Sequence, residues 1–223
     1  MKNIKKVVDL GFDFKEDYKY PLFLFALLSF FFLPSFFPDR IESLLDTLFF
    51  TGLIITSILL LESKSRIKRG IVLIAGILGI VIQISNIFIE TPIGFRLFNF
   101  IVLFIMFVIL FQELIIQIFN SKKITLNVVL GAFTGYILIG IIGFCVILTI
   151  YLFNPESYKI SETPINDLLY YSFITLSTIG YGDISPLSLP AKNVAVIIGL
   201  VGQFYNAIIM AAIISKFPRA ESD

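Results

Sequence analysis

The residues from Ser177 to Asp183 combine a hydroxyl pair, two glycines that flank a tyrosine, and a carboxylate, in the order STIGYGD. Apolar sequence of helical character precedes and follows this segment. Gly180 and Gly182 can adopt positive φ, which allows consecutive backbone carbonyls to turn to one side of the chain. A column of carbonyl oxygens that face one axis can replace the hydration shell of a bare cation. These residue types and their spacing therefore predict cation binding by the backbone.

The elements around this segment must lie in a membrane, as the composition predicts. The 223 residues are 57% hydrophobic and 15% charged, with a mean hydropathy of +0.95, whereas globular domains are about a quarter charged. A soluble protein of this size could not bury so much apolar surface in one core. The chain has no histidine, one cysteine and a net charge of +1. This excludes His-ligated metal sites, histidine triads and a disulfide framework, and it gives no sign of nucleic-acid binding or of enzymatic function.

Six apolar runs are candidates for transmembrane helices, because about 20 helical residues cross a hydrocarbon core of roughly 30 Å. The first run is the weakest, since it is short and contains Pro34, so either a kinked span or a re-entrant segment fits. Thirteen of the 17 lysines and arginines fall on one side of a six-span topology and four on the other. By the positive-inside rule this places both termini in the cytoplasm, in a plasma or inner membrane. The six runs are 21–37, 41–61, 71–89, about 97–119, 128–153 and 194–217.

The longest connection, residues 154–193, lies outside between the fifth and sixth spans in this topology. Within it, INDLLYYSFITLS at 165–177 predicts a short amphipathic helix at membrane depth. This helix is too short to cross the membrane, so the chain must descend and return on the same side. Non-helical backbone at that depth is tolerated only where it is buried in protein or lines a water-filled cavity.

Residues 164–217 contain the short helix, the TIGYGD motif and the run VAVIIGLVGQFYNAIIMAAIISKF, and they resemble the pore of the potassium channel superfamily. The part GQFYNAIIMAAIIS is similar to that of prokaryotic six-transmembrane members of the ion-channel family. The resemblance implies an all-α membrane protein with six transmembrane helices and a re-entrant pore helix and selectivity-filter loop between helices five and six. It also implies a homotetramer in the lipid bilayer that conducts K⁺, with no cofactor beyond the K⁺ ions in the filter.

The resemblance assigns roles to individual residues of the motif. The carbonyls that bind K⁺ would come from Thr178, Ile179, Gly180 and Tyr181. The Thr178 hydroxyl would form the innermost site, and Gly182 would permit the outer turn. Asp183 would lie behind the outer mouth of the filter and bond to an aromatic residue of the pore helix, for which Tyr170 is the candidate. The family often places a carboxylate beside that aspartate, and Ile174 occupies the matching position here.

The sixth span would line a cavity below the filter. Gly202 matches the hinge glycine of the family, and two glycines in one span indicate a bend or close helix packing. Polar side chains inside a span indicate a water-filled cavity or interhelical hydrogen bonds. Ile213 and its neighbour Ile214 could close the pore by dewetting, or they could face lipid. The cavity and gate candidates are Gly202, Gln203, Asn206, Met210 and Ile213.

Six spans with the pore loop between the last two is the plan of voltage-gated channels. A voltage sensor needs about three to four positive charges along its fourth helix. The fourth span, RLFNFIVLFIMFVILFQELIIQIF, has Arg96 at its outer end and, as its other charge, Glu113 near its inner end. We therefore expect a four-helix voltage-sensor-like domain that lacks its charges and acts as a scaffold, in a channel that is not strongly voltage-gated.

The sequence thus divides into five parts: an N-terminal segment in the cytoplasm or interface, a four-helix voltage-sensor-like domain, a linker, a pore domain and a short cytoplasmic tail. Since few residues follow the sixth span, we expect no regulatory domain there, and a separate regulatory partner is possible. Three alternatives stay open: a nonselective cation channel, a potassium uptake transporter, and a non-conducting structural or regulatory subunit. The five parts are residues 1–20, 21–119, 120–127, 128–217 and 218–223.

Overall fold

The computed structural model describes residues 14–37, 39–61, 66–88, 93–121, 125–160 and 164–216. This part of the chain is mostly helical and contains one two-stranded antiparallel sheet. The helices are α1 (Phe14–Phe32), α2 (Asp39–Leu60), α3 (Arg66–Phe88), α4 (Ile93–Asn120), α5 (Leu126–Phe153), α6 (Pro164–Leu176) and α7 (Leu189–Lys216). The strands are β1 (Tyr158–Lys159) and β2 (Ser185–Pro186), and short 3₁₀ turns cover Pro34–Phe36 and Pro155–Ser157.

Three of these helices are long and apolar enough to cross a membrane, within the described residues. Shorter apolar stretches lie in α1 and α2. The apolar helices indicate an integral membrane protein, as the composition predicts. That the other N-terminal helices also cross the membrane, which would give six spans, stays a prediction. The three membrane-length segments are Phe100–Asn120, Leu126–Phe153 and Leu189–Ser215.

The first helix differs from its predicted bounds of 21–37. It begins at Phe14, so the end of the predicted N-terminal segment is continuous with it, and it ends at Phe32. Pro34 then begins a 3₁₀ turn, whose carbonyl accepts a hydrogen bond from the Phe37 N–H at 2.9 Å. Proline lacks an N–H donor and fits best in the first turn of a helix. The helix α1 therefore ends at Phe32, before the predicted apolar run ends at residue 37.

The helices α1 to α4 pack in sequence, and α1 and α4 then contact α5 of the same chain. Only a short link, residues 121–125, separates α4 from α5. The four-helix group therefore packs against the C-terminal unit, residues 126–216, of its own protomer. Large buried apolar side chains fill the group, among them Phe23, Leu27, Phe50, Leu53, Phe107 and Leu110.

A polar cluster joins all four helices of this group near one end. The Lys68 ammonium of α3 lies 2.7 Å from the buried Glu113 carboxylate of α4. One turn further along α4, the Gln117 amide accepts a hydrogen bond from the Tyr20 hydroxyl of α1 at 3.0 Å. The same amide donates to the Leu60 carbonyl at the end of α2 at 2.8 Å. Because buried polar groups are costly unless they are paired, these contacts anchor α4 to its three neighbours.

Candidate functional site

The short helix α6 is anchored on two other helices. The Ser172 hydroxyl donates to the Gly140 carbonyl of α5 at 2.7 Å. The Phe173 ring lies where a side chain at Gly140 would have to go, so only glycine allows this approach. The same ring packs against Phe32 of α1, with ring centroids 5.6 Å apart. These contacts place the C-terminal end of α6, and the motif that follows it, beside α5.

The residues directly after α6 form hydrogen bonds back to its last turn. The Ile174 carbonyl accepts hydrogen bonds from the Ile179 N–H at 2.9 Å and the Gly180 N–H at 3.2 Å. The Thr178 N–H donates to the Thr175 carbonyl at 3.1 Å. These bonds satisfy carbonyls that a helix end leaves without intrahelical partners. The start of the TIGYGD segment is thereby fixed to the helix.

Every second residue from Thr178 to Gly182 has a positive φ angle. Thr178 has φ 58°, Gly180 has φ 54° and Gly182 has φ 82°. Both glycines adopt the conformation that the sequence predicted for them. Thr178 is the one non-glycine residue with positive φ in the described part of the chain, and this conformation is unfavourable for a β-branched side chain. An alternation of this kind turns successive peptide planes so that their carbonyls can share one side of the chain.

The motif is exposed on the surface of the protomer. The Tyr181 side chain is 73% exposed and the Ile179 side chain 54%. The helix α7, which runs back from the motif, also exposes much apolar surface. Exposed apolar patches of this extent indicate contact with lipid or with other chains. On α7 they include Val196, Ile197, Leu200, Val201, Phe204 and Ile208.

Behind the motif, the Tyr170 hydroxyl donates to the Asp183 carboxylate at 2.8 Å. This is the pairing that the sequence predicted, and the hydrogen bond raises the pKa of Tyr170. Ile174, where the family often has a carboxylate, is buried. That the Tyr170–Asp183 pair supports a selectivity filter stays a prediction.

A two-stranded sheet restrains the chain directly after the motif. Strand β2 follows the motif and pairs with β1, which precedes α6. The Leu187 N–H also donates to the Ser157 carbonyl at 2.8 Å. The Tyr158 ring packs edge-on against Tyr171 of α6, with centroids 5.6 Å apart, and burial raises the pKa of Tyr158. Sequence reasoning missed this sheet, because two-residue strands have no detectable periodicity.

On α7, two of the candidate residues meet the end of α6. Gly202 is buried, and a Cβ there would collide with the Leu176 carbonyl oxygen. Of the two roles left open for Gly202, the structure therefore shows close packing. The adjacent Gln203 amide donates to the Thr178 hydroxyl at 3.3 Å. Gln203 thus bonds to the turn that follows α6 rather than to another helix, and its role in lining a cavity stays a prediction.

The remaining candidates lie nearer the C-terminal end of α7, and they do not all lie on the same face of the helix. Asn206 is exposed, and so is Met210 one turn further along. Ile214 continues that exposed face, whereas Ile213 is half-buried and packs against the core of the protomer. The structure therefore groups Ile214, rather than Ile213, with Met210. A role of these residues in a gate stays a prediction.

Sequence reasoning also missed Tyr205, which joins α7 to two other helices. Its hydroxyl donates to the Ala132 carbonyl of α5 at 2.6 Å. The ring lies near Phe111 of α4 and Tyr136 of α5, with centroids 6.2 and 6.1 Å away. A side chain at Gly135 would collide with the Tyr205 hydroxyl. Small residues four positions apart, as in GAFTG at 131–135, allow a close helix contact but do not identify Tyr205 as the partner.

Comparisons with known proteins match the same region. A family model described as "Ion channel" matches residues 135–218, which include α6, the TIGYGD motif and α7. The chain is 30% identical to Two-pore potassium channel 2 of Arabidopsis thaliana over 97 residues, which are 43% of this chain and 20% of that protein. It is 40% identical to Two-pore potassium channel 5 of the same plant over 68 residues, which are 30% of this chain and 17% of that protein. No solved structure gives a significant match.

These likenesses support the potassium channel superfamily, and an ion channel rather than an enzyme. The aligned region covers only about a fifth of the curated relatives' length. The family match begins within α5, so it does not include the four-helix group. The voltage-sensor-like identity of that group and the likeness to prokaryotic members therefore stay predictions.

Proposed function

We propose that this chain forms a K⁺-selective channel, in which K⁺ passes the backbone carbonyls of residues 178–181. The observation that carries the proposal is the alternation of positive φ at Thr178, Gly180 and Gly182. It occurs in the sequence TIGYGD, directly after a 13-residue helix that is anchored on α5. This backbone offers oxygen ligands in series, which is the arrangement that replaces the water of a K⁺ ion.

One copy of the segment forms only one wall of such a pathway, so we propose a homotetramer around a central axis. The exposed Tyr181 and the exposed apolar face of α7 support this assembly, because other copies would cover them. In this arrangement α7 faces the axis and Asn206 and Met210 line the cavity below the filter. The four-helix group lies outside its own C-terminal unit and acts as a scaffold.

We place the tetramer in a plasma or inner membrane with both termini in the cytoplasm, from the asymmetry of lysine and arginine along the chain. The polar cluster around Glu113 then lies toward the cytoplasmic side. Opening does not depend strongly on voltage, because α4 lacks a series of positive charges. The stimulus for opening would come from elsewhere, for example from a separate regulatory partner.

A nonselective cation channel is the second candidate, and the environment of Asp183 favours it. In the described residues the carboxylate of Asp183 has a hydrogen bond from Tyr170, while the neighbouring position is the apolar Ile174. Fewer hydrogen bonds behind the filter leave its diameter less restrained. If the size of the cavity sets selectivity, a less restrained filter discriminates less well between K⁺ and Na⁺.

Reconstitution of the purified protein in planar bilayers with asymmetric K⁺ and Na⁺ tests the proposal. The reversal potential should follow the K⁺ gradient and ignore Na⁺. Gly180→Ala should abolish selective conduction, because alanine is strained at φ 54°. Gly52→Ala is the matched control, since a Cβ on this helical glycine would have no neighbour within 4 Å.

The other outcomes decide between the alternatives. Equal permeability to K⁺ and Na⁺ would establish the nonselective channel. A tetramer without current would identify a non-conducting subunit. A stable monomer by native mass spectrometry in detergent and in lipid nanodiscs would overturn the pore arrangement itself.

A further inference from the structure

The base of the TIGYGD segment is held by a contact from α7. Gly202 lets α7 approach the Leu176 carbonyl more closely than any residue with a side chain could. This approach brings the next residue, Gln203, within reach of the motif. Its amide nitrogen Nε2 lies 3.3 Å from the Thr178 oxygen Oγ1, to which it donates a hydrogen bond.

Thr178 needs such a restraint because of its backbone. Its φ of 58° is in the left-handed region, where a β-branched residue persists only if surrounding contacts hold it. One contact is the hydrogen bond from its N–H to the Thr175 carbonyl at 3.1 Å. The other is the hydrogen bond from Gln203, which also fixes the position of the side chain.

The lone pairs of the Thr178 hydroxyl determine how the hydrogen bond from Gln203 affects cation binding. A threonine hydroxyl has one proton and two acceptor lone pairs. The Gln203 amide occupies one lone pair, so the second can bind a cation, while the proton must point away from that cation. The amide donor therefore fixes the orientation of the Thr178 hydroxyl before an ion arrives.

We propose that Gln203 is a positioning residue for the innermost cation site, where it holds the Thr178 hydroxyl as a pre-oriented ligand for a dehydrated cation of the size of K⁺. The inference rests on the proposed channel function and adds to it a residue outside the TIGYGD motif. Gln203 does not touch the cation in this scheme. It acts through Thr178, and its loss weakens ion binding at one end of the filter.

Block by internal Ba²⁺ is the measurement, because Ba²⁺ is close to K⁺ in size and its double charge makes it bind oxygen sites longer. Gln203→Met keeps the length of the side chain but removes the donor. It should raise the Ba²⁺ dissociation constant about two- to tenfold through faster exit, since one hydrogen bond has a net effect of this order. Ser215→Ala should leave the constant unchanged, because that hydroxyl bonds only to the Ala212 carbonyl of its own helix.

A double-mutant cycle separates positioning from a general structural role. In the background of Thr178→Val, which removes the hydroxyl but keeps the shape, Gln203→Met should have no further effect on Ba²⁺. If Gln203→Met does not assemble, Gln203→Asn gives the same readout, because its amide is one methylene too short to reach Thr178.

Two results would overturn the inference without touching the channel itself. One is an unchanged Ba²⁺ constant in Gln203→Met while K⁺ current persists. The other is an equal effect of Gln203→Met with and without the Thr178 hydroxyl. Absence of K⁺ current in the wild-type protein would instead refute the proposed function, and the inference with it.

Discussion

Replacement of Arg96 by glutamine should leave the dependence of open probability on voltage nearly unchanged. Arg96 is the single cation in the sequence of α4, and its side chain lies outside the part of the chain that the structure describes. The other charge of α4 is Glu113, whose sign is opposite. If α4 moved as a unit across the field, the two charges would partly cancel.

The magnitude follows from the charge that could move. Suppose that Arg96 crosses a tenth of the field in each of four subunits, which gives about 0.4 elementary charge in total. One charge gains about 2.3 kcal/mol per 100 mV, so the effect is roughly 0.9 kcal/mol, less than a factor of about five in the equilibrium. A sensor with about three charges in each subunit would contribute tens of kcal/mol instead.

The packing of α4 also opposes its movement. The Glu113 carboxylate is held by Lys68 of α3 at 2.7 Å, so a displacement of α4 relative to α3 that separates these two groups breaks this ion pair. Breaking a fully buried pair costs about 3–5 kcal/mol, whereas an exposed pair contributes about 0–1 kcal/mol. With the Lys68 side chain 32% exposed and that of Glu113 6%, the cost lies between these limits. It opposes the small gain from Arg96.

The assay is open probability against voltage in symmetric K⁺, measured for the wild type and for Arg96→Gln. We expect two shallow curves that superimpose within a factor of about five per 100 mV. Lys68→Gln controls for this contact, because it removes the ion pair without changing the sequence of charges along α4. A steep wild-type curve, equivalent to several gating charges and flattened by Arg96→Gln, would refute the reasoning.

Three further predictions concern single side chains. Tyr170→Phe removes the hydrogen bond to the aspartate of the motif, so it should speed inactivation of the outer filter; unchanged inactivation in recordings of sustained current would contradict the role of this pair. Tyr205→Phe removes the hydrogen bond to the Ala132 carbonyl of α5, so it should lower the free energy of unfolding by about 1 kcal/mol per protomer in thermal melts. Tyr136→Phe is the control, because the Tyr136 hydroxyl has no hydrogen bond among the described residues. Gly202→Ala should reduce the yield of the proposed tetramer and its current, because the added Cβ collides with the Leu176 carbonyl at the end of α6. Gly199→Ala, with its nearest neighbour at 3.8 Å, should be tolerated, and equal effects of both substitutions would refute the packing argument.

The sequence predicts this structure best where local chemistry alone determines the conformation. Positive φ at Gly180 and Gly182 follows from the residue type, because glycine lacks the Cβ that excludes this region. The short helix before them follows from its amphipathic pattern and its length. The pairing of Tyr170 with Asp183 was instead implied by the resemblance of the motif to the potassium channel superfamily.

Contacts between residues far apart in the sequence could not be predicted in the same way. Tyr205 and Glu113 are polar side chains within apolar runs, and they pair with the Ala132 carbonyl and with Lys68. An apolar run predicts a buried helix face but contains no periodic signal that identifies the partner across the interface. The end of α1 was missed for a different reason. Pro34 is compatible with both a kink and a helix end, and only the packing of the following turn distinguishes them.

The short link between α4 and α5 has a consequence for how the protein is made. Because the four-helix group packs on its own C-terminal unit, no helix has to be exchanged with a neighbour during assembly. In the proposed tetramer, a newly inserted subunit could therefore complete its internal packing in the bilayer before it meets another copy, and assembly would reduce to lateral docking of folded subunits. In a mixed complex of two sequence variants, an altered four-helix group would act on the pore segment of its own subunit first. The change in the current of one complex would then grow with the number of altered subunits that it contains.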